Sequence, residues 1–383
     1  MIYLDNAATT WPKPPAVIDA AAEAMLFSGG NPGRGSHPLA EAAAELVYTC
    51  RETAGRFFGA SPDCVVFTSG ATASLNIAIR GLVPPGGHIL YDNLCHNAVR
   101  RPILAMVREG LAEAEQFDAS GDDDAILASL SAKIQPKTAL IVATHQSNIC
   151  SKVLPIRQIG ALCKARGIPF VVDAAQSAGH IPIDLDRDGI SALAVPGHKG
   201  LYGPQGVGLL VLGEGVLPKP LLYGGAGIRS LDAEMPEELP ERLEAGTLPM
   251  PAIAGLLAGI RWGEEQGIDA IRSRTAALSE AFTSGLGAHF TVHGPSDGSV
   301  VSFTHSILSP AEIGTLLAEE GICVRTGFHC APDAHRILGT GPDGSVRVSF
   351  SAWNTAADVE RILNVLHRLD EYSFPSLDFR RNS

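Results

Sequence analysis

His198 and Lys199 sit side by side in Val195-Pro-Gly-His-Lys-Gly200, a Pro/Gly-rich turn that follows a short apolar run. A lysine held partly dehydrated can shed its proton and form a Schiff base with a carbonyl; the plain alternative is a solvated surface lysine. Asp173 closes the apolar run Phe170-Val-Val and precedes Ala-Ala-Gln176. A carboxylate at the end of a buried strand is costly unless paired, so it reads either as a helix N-cap or as the partner of a buried cationic nitrogen. Thr68-Ser-Gly-Ala-Thr72 stands where a strand gives way to a helix. Free N–H groups and the helix dipole there suit an anion, with the Thr72 hydroxyl as a further donor; an ordinary N-cap is the alternative. An anion cradle, a carboxylate for a ring nitrogen and an amine for an aldehyde are together what pyridoxal phosphate requires.

These residues must be positioned by strands and helices. Asp63–Gly70 reads as a buried strand closing on glycine, with a helix over 71–80 after it. Short apolar runs recur at His88–Tyr91, Ala139–Thr144, Phe170–Val172, Ala192–Val195 and Val207–Leu212, mostly separated by helical segments such as Ile156–Arg166. Alternation of this kind predicts an α/β fold with a mostly parallel sheet covered on both faces. Ligands in such sheets sit at the carboxyl ends of the strands, where Thr72, Asp173 and Lys199 fall. The last two runs are too close for a helix between them and are expected to form a reversal.

From about Pro251 the pattern changes to a long helical region (Ala252–Gly285), weaker strands at Phe290–Val292 and Val300–Thr304, and a capping box at Ser309-Pro-Ala-Glu312. Strands near Ile322–Arg325 and Val346–Phe350 follow, then a helix with Val359, Ile362, Leu363 and Leu366 on one face. The expected division is a large α/β domain over 15–250 and a smaller α+β domain from 1–14 and 251–383.

With 383 residues the chain is long enough for two domains at about 150 residues each. Its 45% apolar and 18% charged residues argue for a large core, not disorder. A net charge of −12, with no basic stripe, argues against nucleic acid and anionic membranes as partners. No apolar run approaches the roughly 20 residues of a bilayer span, and the first residues lack a signal-peptide pattern. Seven cysteines without a CxxC pair predict no disulfide framework and no metal set, and they suit a reducing cytoplasm with one reactive thiol.

The sequence resembles the class V aminotransferase group of fold-type I pyridoxal-phosphate enzymes, and within it the cysteine desulfurases. The resemblance rests first on Tyr3-Leu-Asp-Asn-Ala-Ala8, Asn31-Pro-Gly-Arg34-Gly-Ser-His37, Thr68–Thr72, Cys95-His96-Asn97, Gln146-Ser-Asn148 and Val172–Gln176. It continues through Gly197-His-Lys-Gly-Leu-Tyr-Gly-Pro-Gln-Gly206, Glu244-Ala-Gly-Thr247, Val324-Arg-Thr-Gly-Phe-His-Cys330-Ala, Val346-Arg-Val-Ser-Phe and Asn354-Thr355. It runs from residue 3 to about 366.

The resemblance implies a seven-stranded-type sheet and a role for each matching residue. Lys199 holds the cofactor and shuttles the substrate Cα proton. Asp173 pairs with the pyridinium nitrogen, Gln176 bonds the ring 3-oxygen, and His96 stacks on the ring. Thr72 with the adjacent Ala71, His198, and Thr247 from the partner of a homodimer hold the phosphate. Arg347 fixes the substrate carboxylate with Asn148 assisting; Ala8 and Arg325 complete the substrate site. Cys330 attacks the sulfur of L-cysteine, takes it as a persulfide and leaves L-alanine. Its thiolate is the nucleophile, and Arg325 and His329 are expected to favour that form. Its polar, Gly- and Pro-containing surroundings predict exposure, whereas Cys50, Cys163, Cys323 and Cys95 are expected to be packing.

Two departures stand out. Pro196 replaces a usual phosphate-binding Ser, and Ala71 stands where many relatives carry Thr. Sixteen residues separate Cys330 from Arg347, and a cysteine on so short a segment resembles the group II desulfurases, whose sulfur passes to an acceptor protein. The acceptor, in iron–sulfur cluster assembly, tRNA thiolation or elsewhere, leaves no signature. Competing readings are a selenocysteine lyase acting on L-selenocysteine, a class V aminotransferase or epimerase in which Cys330 is incidental, and a sulfur carrier that has lost the reaction. Intact Lys199, Asp173, His96 and Arg347 argue against the last.

Overall fold

The apolar runs close into one sheet, seen here in a computed structural model that describes residues 1–33 and 35–373. After a two-residue strand β1 (Ile2–Tyr3) come β2 (Val65–Thr68), β3 (Gly87–Asp92), β4 (Ala112–Phe117), β5 (Thr138–Thr144), β6 (Phe170–Asp173), β7 (Ala192–Pro196) and β8 (Gly208–Leu212). The last seven lie in the order β2-β8-β7-β6-β5-β3-β4. β3 to β7 are parallel. β8 runs antiparallel to both β7 and β2, the reversal anticipated from the short connection. Every residue of β3, β6, β7 and β8 is buried, which is why these strands read as unbroken apolar runs. β4 was not anticipated: Ala-Glu-Ala-Glu-Gln-Phe is an edge strand whose Glu113 and Glu115 pair with Lys137 and Lys133.

This sheet and its helices form one unit, Pro12–Gln146 with Val153–Ile268. The expected boundary at 250 is therefore displaced. Helix Met250–Gln266 belongs with the sheet, because Ile253, Leu256 and Ile260 are buried and a small residue at 259 lets it settle onto the Leu201–Gly203 turn. A Cβ at Gly259 would lie 2.3 Å from the Leu201 carbonyl oxygen. The long helical region expected to Gly285 is broken at Gly267 (φ +79), and a second helix, Ile268–Ser284, follows.

The other unit gathers Met1–Trp11, Ser147–Lys152 and the chain from Asp269. Its strands are β9 (Phe290–His293), β10 (Val300–His305), β11 (Ile322–Cys323), β12 (Arg325–Gly327) and β13 (Ser345–Ser349). Four form an antiparallel sheet in the order β12-β13-β10-β9, and β1 pairs parallel with β11. The run Ile322–Arg325, expected as one strand, thus serves two sheets. The capping box at Ser309 and Glu312 forms as read. Val359, Ile362 and Leu366 of helix Ala356–Ser373 join Phe282, Phe303 and Phe350 in the core.

Ser147–Lys152 was expected to stay with the large domain. It belongs here because Ser151 Oγ donates to the Val300 carbonyl (2.9 Å) and Ser302 Oγ to that of Ile149 (2.5 Å). Arg34 of the Asn31–His37 motif, and 374–383 of the expected small domain, lie outside the described residues. No helix among the described residues is long and apolar enough to cross a membrane.

Candidate active site

Asp173 ends β6 and is 3% exposed. Its Oδ1 accepts from the Ala175 amide at 2.9 Å. Burial pushes its pKa up, while that amide and the charge of Lys199 pull it back. Such a carboxylate is prepared for a cationic nitrogen. Lys199 lies on the turn after β7, fixed by Tyr202 N–H donating to the Lys199 carbonyl and Gly203 N–H to that of Gly197, each at 2.8 Å. The turn presses against the backbone following Asp173, and a Cβ at Gly200 would fall 2.2 Å from the Ala178 oxygen. Burial, with Lys199 and Lys13 nearby, lowers His198 to about 4, so its ring is neutral near pH 7. Lys13, which carries no motif in the sequence, donates to the His198 carbonyl at 2.8 Å, and burial lowers its pKa to about 8. Its flanking prolines were the available signal.

The helix Ala71–Leu82 starts from Gly70 (φ +145), and no side chain caps it. Ala71 is buried in its first turn and Thr72 exposed. Space beside Gly70 is open, whereas a Cβ at Gly208 would come 2.5 Å from Gly70 Cα. Pro196 is buried opposite Gly208 and offers no hydroxyl, as its identity requires. His96 is the N-cap of helix Asn97–Arg108; its Nδ1 accepts from Ala98 N–H at 3.0 Å, which leaves the proton of a neutral ring on Nε2. Cys95 is packing, as expected, fully buried in the core. Gln176 is 7% exposed. Asp92 went unnoticed because it reads as a strand end. Its oxygens accept from the amides of Leu94 (2.9 Å) and Thr144 (2.8 Å), and Thr144 is register partner of Asp173. Burial, and to a smaller degree Asp173, raise Asp92 to about 7.

Thr247 is exposed on the loop before helix Met250–Gln266. That loop is anchored by Glu244, whose Oε1 and Oε2 meet Arg51 Nη1 (2.9 Å) and Nη2 (2.5 Å) while Oε1 also accepts from Phe67 N–H (2.6 Å). Both side chains are under 10% exposed. Glu244→Gln keeps the shape but leaves the Arg51 charge buried without its counter-ion, which is expected to cost about 3–5 kcal/mol. Urea unfolding of the two proteins measures it, and a loss below about 1 kcal/mol would place the pair among ion pairs of no consequence.

In the second unit Arg347, on β13, is 2% exposed. Its Nη2 meets Asp5 Oδ1 at 2.8 Å, and its Nη1 donates to the Asn148 carbonyl at 3.0 Å. Asn148 Nδ2 donates to the His329 carbonyl at 2.8 Å. Ala8 N–H donates to the Asp5 carbonyl, and Arg325 stands directly opposite Arg347 across β12 and β13. Asn148, Arg325, Arg347 and the Cys330 turn are thus gathered by one sheet and the 147–152 crossing.

Cys330 is exposed while His329 beside it is buried. Two successive non-glycine residues with positive φ, His329 (+47) and Cys330 (+59), turn one side chain inward and the next outward. Burial, then Arg347, lowers the His329 pKa to about 2. The expectation that His329 favours the thiolate is therefore corrected: its ring is neutral and adds no positive charge. Cys50 and Cys163 are buried as expected, but Cys323 is only half-buried.

The sheet unit fits pyridoxal phosphate: Asp173 suits the ring nitrogen, Lys199 the aldehyde, and the uncapped helix start at Gly70 the phosphate. Residues 2–362 match the family Aminotransferase class-V. A probable cysteine desulfurase of Pyrococcus abyssi is 34% identical, across 96% of this chain and 94% of that protein. Another, from Mycolicibacterium paratuberculosis, is 32% identical across 97% of this chain, which spans 56% of that protein's length. Among solved structures, the apo cysteine desulfurase of Thermococcus onnurineus NA1 has a TM-score of 0.88 at 32% identity, covering 96% of this chain and 94% of that one.

Proposed function

The chain belongs to the class V aminotransferase family, and we propose that it is a cysteine desulfurase turning L-cysteine into L-alanine by way of a Cys330 persulfide. The family's cofactor is pyridoxal 5′-phosphate, which when bound supplies an electron sink for bonds at the amino-acid Cα and Cβ. Lys199 holds it and moves the Cα proton, Asp173 keeps the ring nitrogen charged, and Gln176 and His96 fix the ring. Ala71, Thr72 and the neutral His198 receive the phosphate, joined by Thr247 of the partner in a homodimer. Arg347 and Asn148 take the substrate carboxylate, with Ala8 and Arg325 around them.

The exposed thiol at Cys330, held out by its left-handed backbone, is the observation that carries this reading. Its thiolate attacks the cysteine sulfur, the Cβ–S electron pair stays with carbon, and Cβ takes a proton to become the methyl of alanine. One L-cysteine and one Cys330 thiol thus yield one L-alanine and one persulfide. A thiol acceptor, a dedicated protein in the cytoplasm serving for example iron–sulfur assembly, then removes the outer sulfur. The test is to count alanine and sulfide made from L-cysteine under excess dithiothreitol. Equal yields over many turnovers are expected; alanine without sulfide, or neither product, would overturn the proposal.

A further inference from the structure

We propose that Asp5 is a resident counter-ion of the substrate site, a specificity-determining residue that weakens the hold of Arg347 on amino-acid carboxylates. This rests on Arg347 being the carboxylate-binding residue. The guanidinium is almost wholly buried, and a buried charge demands compensation whether or not substrate is present. Asp5 supplies it through a single contact, Oδ1 to Nη2 at 2.8 Å. The Nε–H is left buried and unpartnered, as is Asn148 Oδ1 in the residue whose carbonyl accepts from Nη1. A buried donor left unmade is costly, so the guanidinium keeps one edge prepared for an incoming oxygen while Asp5 occupies another.

The charge count around Arg347 is small. Among the described residues its charged neighbours are Asp5 and, across the strand pair, Arg325. Tyr3 is raised to about 12, chiefly by burial, and is uncharged. His329 and His335, lowered to about 2 and 4 chiefly by burial, are also neutral. Two guanidinium charges against one carboxylate leave one positive charge, which a single substrate carboxylate cancels. With Asp5 neutralised, a ligand carboxylate meets two positive charges and no resident rival. Substrate and product carry the same carboxylate, so this rivalry loosens both. It sets how readily L-alanine leaves.

The experiment compares the holoenzyme with Asp5→Asn and Asp5→Glu, measuring L-alanine and ethylamine affinity by calorimetry and the kinetics with L-cysteine. Asp5→Asn is expected to bind L-alanine about tenfold tighter and to lower KM for L-cysteine without raising kcat. Ethylamine, which lacks a carboxylate, should bind unchanged, and Asp5→Glu should stay near wild type because the charge is kept. Weaker L-alanine binding in Asp5→Asn, or equal tightening for both amines, would overturn the proposal. Arg347→Gln serves as a separate control. If it binds L-alanine as well as wild type, the assignment of Arg347 fails; if it loses L-alanine while Asp5→Asn shows no tightening, only the role of Asp5 fails.

Discussion

Cys330→Ala is expected to form alanine and sulfide from L-cysteine at least about 1,000-fold more slowly than wild type, with cofactor affinity unchanged. The expectation follows from what must happen to the substrate sulfur. It has to be taken off carbon by a nucleophile, and a thiolate does this far better than water or a hydroxyl. Among the seven cysteines Cys330 is the exposed one; Cys64 and Cys323 are half-buried and the others buried. Burial raises the pKa of Cys50 and Cys163 to about 12, which keeps them as thiols. Single-turnover alanine release is the measurement, with mass analysis of the Cys330 peptide for an added sulfur in wild type. Alanine release in the variant within tenfold of wild type would mean that sulfur leaves by another route.

Lys199→Ala is expected to lower turnover by about 10,000-fold or more, because the proposed reaction asks one amine to serve both as the attachment point for the cofactor and as the acid–base group at Cα. A neighbour cannot substitute. His198 is neutral, and Lys13 is committed to the His198 carbonyl. Borohydride reduction gives a readout apart from turnover. The wild-type peptide spanning Gly197–Gly206 should retain the pyridoxyl group, and the variant peptide should not. A variant that still fixed the group through Lys13 and kept a tenth of the activity would transfer the role to that lysine.

What the sequence made legible is what short-range physics controls. The buried strands β3, β6, β7 and β8 announced themselves because both faces are covered and nothing interrupts their apolar runs. The strand exits at Asp173 and Lys199 stood out because carboxylates and lysines are out of place there. β4 was hidden by its edge position, where glutamates tethered to lysines satisfy an exposed face. Gly267 is the one local sign of a break at φ +79, and a lone glycine within a helix-like run reads as easily as one tolerated inside it. Pairings over long distances in the chain were the least legible. Arg51 gives no hint of Glu244, nor Asp5 of Arg347, because each is neutralised by a residue that only the fold brings near. The inward turn of His329 was likewise invisible, and with it the neutrality of its ring.

The pairing of β1 with β11 has a consequence for biosynthesis. Ile2 is hydrogen-bonded into a ladder with Ile322, about 320 residues downstream. At a ribosomal pace of roughly 5–20 residues per second, the leading segment waits on the order of a quarter of a minute to a minute for its partner. Throughout that interval Leu4, later fully buried, has no core to enter. Asp5 travels with it, so its carboxylate has no guanidinium partner until Arg347 has been made. The Arg347–Asp5 pair therefore closes only after the whole of the sheet unit, Pro12–Gln146 with Val153–Ile268, has been made.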